Sequence, residues 1–269
     1  MSDSQEHSVT GGILARFLSL PVDSLPRTLF MAVALCLFCS MIVALAAVNL
    51  KPMQSYNKLL DKKINILQVA GLYSDGVDVE KVFSSFEPKI VEISTGKFTD
   101  KYDPSLFDDR SAASDPELSV ALDEDPALIG RKPKFATVYL LKGSGGELDK
   151  IILPIYGYGL WSTLYGFIAL EKNGNDIFGL QFYEHAETPG LGAEVDNPSW
   201  RQQWRGKSLR DENGNLMISV AKTSSNKKFH IDSLAGATLT SRGVDNLVKF
   251  WMGDAGFGRF LENLKVGEA

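Results

Sequence analysis

The chain has 269 residues, 44% of them hydrophobic and 23% charged, a composition that excludes a disordered or collagen-like protein. Its net charge of −5 argues against nucleic acid as a partner, because phosphate binding needs a basic surface. Both cysteines, Cys36 and Cys39, lie in one apolar run, so the rest of the chain has no thiols for a disulfide framework, a zinc site or an iron–sulfur cluster.

The first predicted element is a membrane span. Residues 1–27 are predicted to form a polar tail, and Thr28–Leu50 then form an uncharged run of 23 residues between Arg27 and Lys51. At about 1.5 Å per residue, such a helix is about 34 Å long and can cross a bilayer. A cleaved signal peptide is the alternative, but signal peptides usually have an apolar core that is shorter than this run and nearer the N-terminus. We therefore predict one retained transmembrane helix. The two cysteines on it have a C-x-x-C spacing, for which we favour a packing role over a redox or metal-binding pair.

Charge leaves the orientation of this helix open. More lysines follow the span than basic residues precede it, so the positive-inside rule favours a cytoplasmic domain. Long domains, however, cross the membrane largely regardless of flanking charge.

Residues 51–269 are predicted to form one soluble domain. Helical periodicity follows the span and ends near Gly71, "VEKVFSSF" indicates a short helix, and "KIVEIS" indicates a strand. Nine acidic residues between Asp100 and Asp125 mark an acidic insertion, about residues 100–134. Calcium binding is an alternative there, but the spacing fits no EF-hand loop, and a solvated insertion is the simpler interpretation.

Strands dominate the next part of the chain. "FATVYLLK", "KIILPIYG", "TLYGFIALE" and "IFGLQFYEH" are rich in β-branched and aromatic residues, and Asn173-Gly174 between the last two predicts a hairpin. "NPSWRQQWRGK" predicts a short helix, "NLMISVAK" a further strand, and Leu239, Val244, Leu247, Val248 and Trp251 one face of a later helix. Hairpins with helices at both ends predict an α+β fold with mostly antiparallel strands.

Three segments carry unusual residues, and each has a purely structural interpretation. "GYGLWSTLYG" combines glycines with Trp161. This combination is found in ligand sites and also in strands that enter a hydrophobic core. "HAETPGLGAEV" forms an irregular loop that either binds a polar ligand or is a surface turn. "DSLAGATLTS" places four hydroxyls on a small-residue turn, where the structural interpretation is that Thr238 or Thr240 caps the next helix. A hydrolase pairing with His230 is poorly supported, since G-x-S-x-G is absent.

The last segment decides between these interpretations. Asp232–Thr240 resembles the D-x-x-[ST]-G-A-T-x-[ST] signature of bacterial flavin-carrying domains, apart from Ala235 at a Ser/Thr position. With "GYGLWS", "ETPGLGAEV", "NPSW" and "FWMGDAGFGRFLENL", the chain resembles the C subunits of Na+-translocating NADH:quinone reductases. The G subunits of Rnf-type complexes share the flavin motif and are the second family that the chain resembles. A membrane-anchored binding module without redox activity is the alternative function.

The resemblance implies a flavin-carrying electron-transfer subunit with FMN joined to Thr238 by a phosphoester, relaying electrons from NADH toward ubiquinone with Na+ export. It implies a bacterial inner-membrane protein with a periplasmic domain, the other subunits of the complex and a flavin transferase as partners, and no activity alone. No metal or catalytic residue is expected in the chain itself. The expected cofactor-binding residues are Thr238, Asp232, Gly236, Ala237, Thr240, Trp161, Ser162, Glu187, Thr188, Leu191 and Gly192.

Overall fold

The structure is a computed structural model that describes residues 21, 24–224 and 226–269, so most of the predicted tail lies outside the described residues. The chain divides into two compact units, residues 1–59 and 60–269. Each unit is described by itself.

The first unit contains most of helix α1, Leu25–Val69. This helix begins three residues before the predicted span and continues through Pro52, so the two helices expected on either side of residue 51 are one. By length and composition it is able to cross a membrane, and its apolar window is wholly unburied.

The second unit is an α+β domain, as predicted. Its strands are β1 Phe86–Glu92, β2 Lys97–Thr99, β3 Ser119–Ala121, β4 Arg131–Pro133, β5 Phe135–Lys142, β6 Leu148–Tyr158, β7 Thr163–Glu171, β8 Ile177–Glu184, β9 Ser219–Ala221 and β10 His230–Asp232. Its further helices are α2 Val79–Phe83, α3 Asp109–Ser114, α4 Pro198–Gln202, α5 Thr238–Met252 and α6 Gly258–Val266. Six strands form one antiparallel sheet in the order β2-β1-β5-β6-β7-β8, while β9 and β10 form a short parallel pair.

The large sheet is buried on both faces, and alternate residues of its strands point to opposite sides, into two separate cores. On β7, Ile168 and Leu170 join the core that includes α5, whereas Phe167 and Ala169 join the core that includes the end of α1. Because both faces are buried, the sequences of the central strands are nearly continuous runs of apolar residues. The arrangement places α5, and with it the "DSLAGATLTS" turn, against one face of the sheet.

Several local predictions are confirmed. The β7–β8 hairpin turns at Asn173-Gly174, where Gly174 has a φ of +63°. Asn197 caps α4 by accepting a hydrogen bond from the Ser199 amide, with Pro198 in the first turn. The predicted strand "NLMISVAK" is shorter than expected, since only Ser219–Ala221 pair with β10.

The acidic insertion is folded, and its carboxylates organise it. Asp108 caps α3 through the amides of Arg110 and Ser111. Asp109 accepts a hydrogen bond of 2.7 Å from the amide of Thr137 on β5. Asp125 accepts two backbone amides in the loop between β3 and β4. These carboxylates satisfy backbone groups that a loop would otherwise leave unpaired.

Candidate functional site

The "DSLAGATLTS" turn joins β10 to α5 and divides its hydroxyls between the interior and the surface. Ser241 is buried; its hydroxyl donates to the Ala237 carbonyl and accepts from the Leu234 amide, both at 2.9 Å. Thr240 is also buried and donates to a carboxylate. Ser233 is half-buried, whereas Thr238 is exposed. The turn therefore uses two hydroxyls for its own structure and presents Thr238 to solvent.

The structure argues against the simple capping role of this turn. The residue at the N-cap of α5 is Ala237, and none of the described side chains caps the helix. Within the described residues, the Thr238 hydroxyl makes no hydrogen bond. The first amide groups of a 15-residue helix are thus left without a side-chain partner, which is the arrangement that attracts a negatively charged group.

A buried carboxylate, that of Glu187, lies behind this surface. Its Oε1 accepts the backbone amides of Leu160, Trp161 and Ser162 at 3.0, 2.9 and 3.3 Å. Its Oε2 accepts the Thr240 hydroxyl at 2.7 Å. The carboxylate therefore joins the β6–β7 turn, its own loop and the first turn of α5.

The charge of Glu187 is stabilised where it lies. Burial alone raises the pKa of a carboxyl group, but here the Thr240 hydroxyl and the backbone amides of the β6–β7 turn outweigh burial and lower the pKa of Glu187 below its ordinary value. Glu187 is consequently ionised at neutral pH.

Two glycines make room for this carboxylate. A Cβ on Gly159 would lie 2.7 Å from Glu187 Oε1, and a Cβ on Gly192 would lie 2.6 Å from both Glu187 Oε2 and Thr240 Oγ1. Such distances are shorter than non-bonded atoms tolerate, so only glycine fits at these positions.

Apolar side chains are exposed around the turn. Trp161 has 65% of its surface exposed, and Leu160, Leu191 and Leu239 are exposed beside the same segments. The Leu191 Cδ2 atom lies 3.1 Å from where a Cβ on Gly236 would be, so the loop and the turn are in direct contact. Gly236 has a φ of +73°, which favours glycine. Exposed aromatic and aliphatic side chains in such a group are typical of a binding surface.

The structure brings the expected site residues together in two layers. The outer residues are Gly236, Thr238, Trp161, Thr188 and Leu191, which are exposed, and Ala237, which is buried between Gly236 and Thr238. The inner residues bond to other protein groups or enclose those bonds: Glu187, Thr240, Ser162 and Gly192.

Asp232 stands apart from both layers. Its side chain is exposed and bonds to His230, with 3.0 Å between Oδ1 and Nε2. This bond occupies the imidazole nitrogen that a hydrolase would direct at a serine or threonine, so the structure does not support the hydrolase alternative.

Sequence reasoning missed the residues that support the loop from behind. His185 Nδ1 accepts the Glu187 amide at 3.2 Å, and His185 Nε2 lies 2.8 Å from Asp196. Because Nδ1 accepts, the proton is on Nε2 and donates to the carboxylate. Asp196 lies 11 residues from His185, and nothing in that spacing indicates their pairing.

Comparison with known proteins adds to this geometry. A family model described as an FMN-binding domain matches residues 159–253, which include the β6–β7 turn, the Glu187 loop and the first turn of α5. The C subunit of the Na+-translocating NADH-quinone reductase of Pseudomonas aeruginosa is 50% identical over 92% of this chain and 98% of its own length. The chain belongs to the family of these C subunits.

Other members agree in sequence and in fold. The C subunit of the Yersinia pestis enzyme is 45% identical over 91% of this chain and 95% of its own. The crystal structure of NqrC from Shewanella oneidensis superposes with a TM-score of 0.73 at 34% identity, covering 78% of this chain and 99% of that chain. The crystal structure of the C subunit from Parabacteroides distasonis gives a TM-score of 0.64 at 26% identity, covering 79% of this chain and 96% of that chain. The predicted family and α+β fold are therefore confirmed.

Proposed function

We propose that this C subunit carries FMN on Thr238 as a phosphoester and relays electrons within a Na+-translocating NADH:quinone reductase. The observation that carries the proposal is the exposed Thr238 hydroxyl, which bonds to no described residue, at an uncapped helix N-terminus. Glu187 joins this helix to the turn that carries the exposed Trp161. A hydroxyl in this place is accessible to a modifying enzyme. The relatives' names and the FMN-binding family model agree with the proposal.

The residues of the outer layer fit the parts of FMN. The free amides of the first turn of α5 suit the negative charge of a phosphoester at Thr238. Gly236 and Ala237 leave space around the acceptor. Trp161 and Leu191 offer apolar surfaces to the isoalloxazine ring, and the exposed Thr188 offers a hydroxyl to its polar edge.

The attachment reaction requires a donor and an activating enzyme, which the family resemblance supplies as FAD and a magnesium-dependent flavin transferase. Thr238 Oγ1 forms a bond to the FMN-side phosphorus of FAD, the pyrophosphate P–O bond breaks, and AMP leaves. The hydroxyl proton passes to the transferase, because the buried carboxylate of Glu187 already bonds to Thr240. The exposed Asp232 beside the turn is the proposed recognition element for that enzyme.

Bound FMN supplies reversible electron transfer on the way from NADH toward ubiquinone, which the complex couples to Na+ export. The role of this chain is to hold FMN in one place. Because the attachment is covalent, noncovalent affinity is not needed to retain the flavin. The sequence has no dinucleotide-binding fingerprint, and we infer that this protein alone does not oxidise NADH.

We further propose that residues 51–269 lie in the periplasm of a bacterium whose inner membrane α1 spans. The family resemblance supports this side, although the lysines after the span favour the other. A C-terminal alkaline phosphatase fusion should be active and a green fluorescent protein fusion dark. The reverse pattern contradicts the proposed orientation.

In-gel flavin fluorescence after denaturation tests the attachment. The full chain, Thr238→Leu and the control Ser233→Ala are expressed with an active flavin transferase. Fluorescent bands are expected for the wild type and for Ser233→Ala, and a dark band for Thr238→Leu. A dark wild-type band would favour a binding module without covalent flavin, and a fluorescent Thr238→Leu band would place the acceptor elsewhere.

A further inference from the structure

The Glu187 carboxylate is the point at which the three segments of the site are fastened together. It is only 5% exposed, although the residues on both sides of it, Ala186 and Thr188, are exposed. One oxygen receives three amides and the other receives a hydroxyl, so both oxygens are used within the protein. Gly159 and Gly192 close the space on either side. Glu187 therefore has no free atom or open approach with which to contact a flavin.

We infer that Glu187 is a positioning residue, which fixes the Thr238 hydroxyl relative to Trp161 by holding Thr240 and the β6–β7 turn at once. This inference rests on the proposed attachment of FMN to Thr238.

The geometry of an α-helix explains how Glu187 acts on Thr238 without touching it. Successive residues are rotated by about 100°, so residues two apart point to nearly opposite sides of the helix. Thr240 is buried and Thr238 is exposed, as this rotation requires. Anchoring Thr240 through a 2.7 Å hydrogen bond thus fixes the rotation of the first turn of α5, and with it the direction of Thr238.

The same carboxylate fixes the aromatic side of the site. Three consecutive amides, those of Leu160, Trp161 and Ser162, converge on Oε1, so the backbone of this turn is held at each residue. Ser162 adds a second connection, since its hydroxyl accepts the Ala186 amide at 2.7 Å. The exposed Trp161 side chain therefore projects from a fixed point of the backbone.

A role as the base that activates Thr238 is inconsistent with these contacts. Oε2 bonds to the hydroxyl of Thr240, which is turned to the other side of the helix. The low pKa of Glu187 also makes its carboxylate a weak proton acceptor near neutral pH. Its contribution is to geometry.

The test uses the full chain expressed with active flavin transferase and compares Glu187→Ala, Glu187→Gln, Thr240→Val and Thr240→Ser. Glutamine accepts the three amides through its oxygen and donates to Thr240 through its nitrogen, and serine keeps the hydroxyl. The matched control is Asp176→Ala, which removes another carboxylate that accepts a buried hydroxyl, that of Ser208 at 2.6 Å, at the opposite end of β8. Covalent flavin per folded molecule and the rate of its attachment are measured, with circular dichroism to count folded protein.

Glu187→Ala and Thr240→Val are expected to slow attachment at least about tenfold, because each breaks the hydrogen bond that fixes the first turn of α5. Glu187→Gln and Thr240→Ser should recover most of the rate, and Asp176→Ala should keep it. The double variant Glu187→Ala/Thr240→Val should be no slower than Glu187→Ala alone, since Glu187→Ala has already removed the hydrogen bond that Thr240→Val breaks.

Separate results identify which idea fails. A folded Glu187→Ala protein that gains flavin at the wild-type rate overturns the positioning role while leaving Thr238 as the acceptor. Equal losses in Asp176→Ala, or no recovery in Glu187→Gln and Thr240→Ser, overturn it as well, because they reduce the effect to general destabilisation. A wild-type chain that gains no flavin, or a Thr238→Leu chain that still does, instead contradicts the proposed function.

Discussion

Gly192 leaves no room for even one additional methyl group beside the hydrogen bond between Glu187 and Thr240. A Cβ there would lie 2.6 Å from both oxygens, so Gly192→Ala must push the two groups apart. We expect a loss of about 1–3 kcal/mol in the free energy of unfolding, the usual cost of leaving a buried polar group unpaired. Denaturant unfolding measures this loss.

Gly190→Ala is the control for this substitution. Gly190 has a φ of +74°, but a Cβ there would meet no atom of the described residues within 4 Å beyond its chain neighbours, so alanine strains the backbone without touching the carboxylate. Covalent flavin should fall in Gly192→Ala and persist in Gly190→Ala. Equal flavin content in both variants would show that the space around Glu187 is not critical.

The low pKa of Glu187 predicts a dependence of stability on pH. A carboxyl whose folded-state pKa lies below its unfolded value stabilises the protein above the unfolded pKa, and this contribution is lost as the pH falls through the folded pKa. The wild type should therefore exceed Glu187→Gln in unfolding free energy above about pH 5, and the difference should shrink below about pH 4.

Unfolding free energies measured across that range test this expectation. Glu124→Gln is the control, because Glu124 is exposed and its carboxylate makes no hydrogen bond to a described residue. Its difference from the wild type should stay small throughout. A Glu187→Gln difference that is constant with pH would show that the carboxylate charge is not what the site stabilises.

Among the secondary-structure elements, β8 holds the end of α1 through one side chain. Gln181 is buried, and its amide donates to Asn65 Oδ1 at 2.7 Å and to Gln68, while its oxygen accepts from Arg201. Gln181→Leu leaves these groups without their shared partner and should lower the unfolding free energy by about 2–3 kcal/mol. Gln202→Leu, at an exposed position of α4, should change it by less than about 0.5 kcal/mol. Equal effects of the two substitutions would contradict this role.

The sequence predicts elements well where the signal is local. β5 and β7 follow from runs of β-branched and aromatic residues, and the hairpin at Gly174 follows from one dipeptide. The continuity of α1 through Pro52 was not predicted, because proline and the lysines after it resemble the end of a span.

The candidate site was predictable only in part, for a physical reason. The small-residue turn and its resemblance to a flavin motif mark Thr238, and the resemblance indicates Trp161 and Leu191 as cofactor-binding residues. Their exposure is seen only in the structure. The pairing of Glu187 with Thr240 joins residues 53 positions apart, and no sequence pattern encodes it. The division of the hydroxyls between interior and surface depends on the packing of α5, which only the folded chain shows.

The boundary of the folded domain differs from the end of the predicted span. The compact unit begins at Leu60, so residues 60–69 at the end of α1 belong to the domain, whereas residues 51–59 do not. Ile66 and Leu67 are fully buried and Val69 is nearly so. A soluble fragment should therefore tolerate removal of residues 1–59 and should be damaged by removal of ten more.

Three fragments, 51–269, 60–269 and 70–269, test this boundary by urea unfolding. The first two should have the same unfolding free energy, because the ten-residue end of α1 is present in both. Fragment 70–269 loses three buried aliphatic side chains, each worth about 2 kcal/mol, as well as Asn65 and Gln68, both partners of Gln181. With a typical domain stability of about 5–15 kcal/mol, this loss should leave it partly or wholly unfolded at 25 °C. If 70–269 were as stable as 60–269, the end of α1 would be an appendage of the sheet and not part of its core.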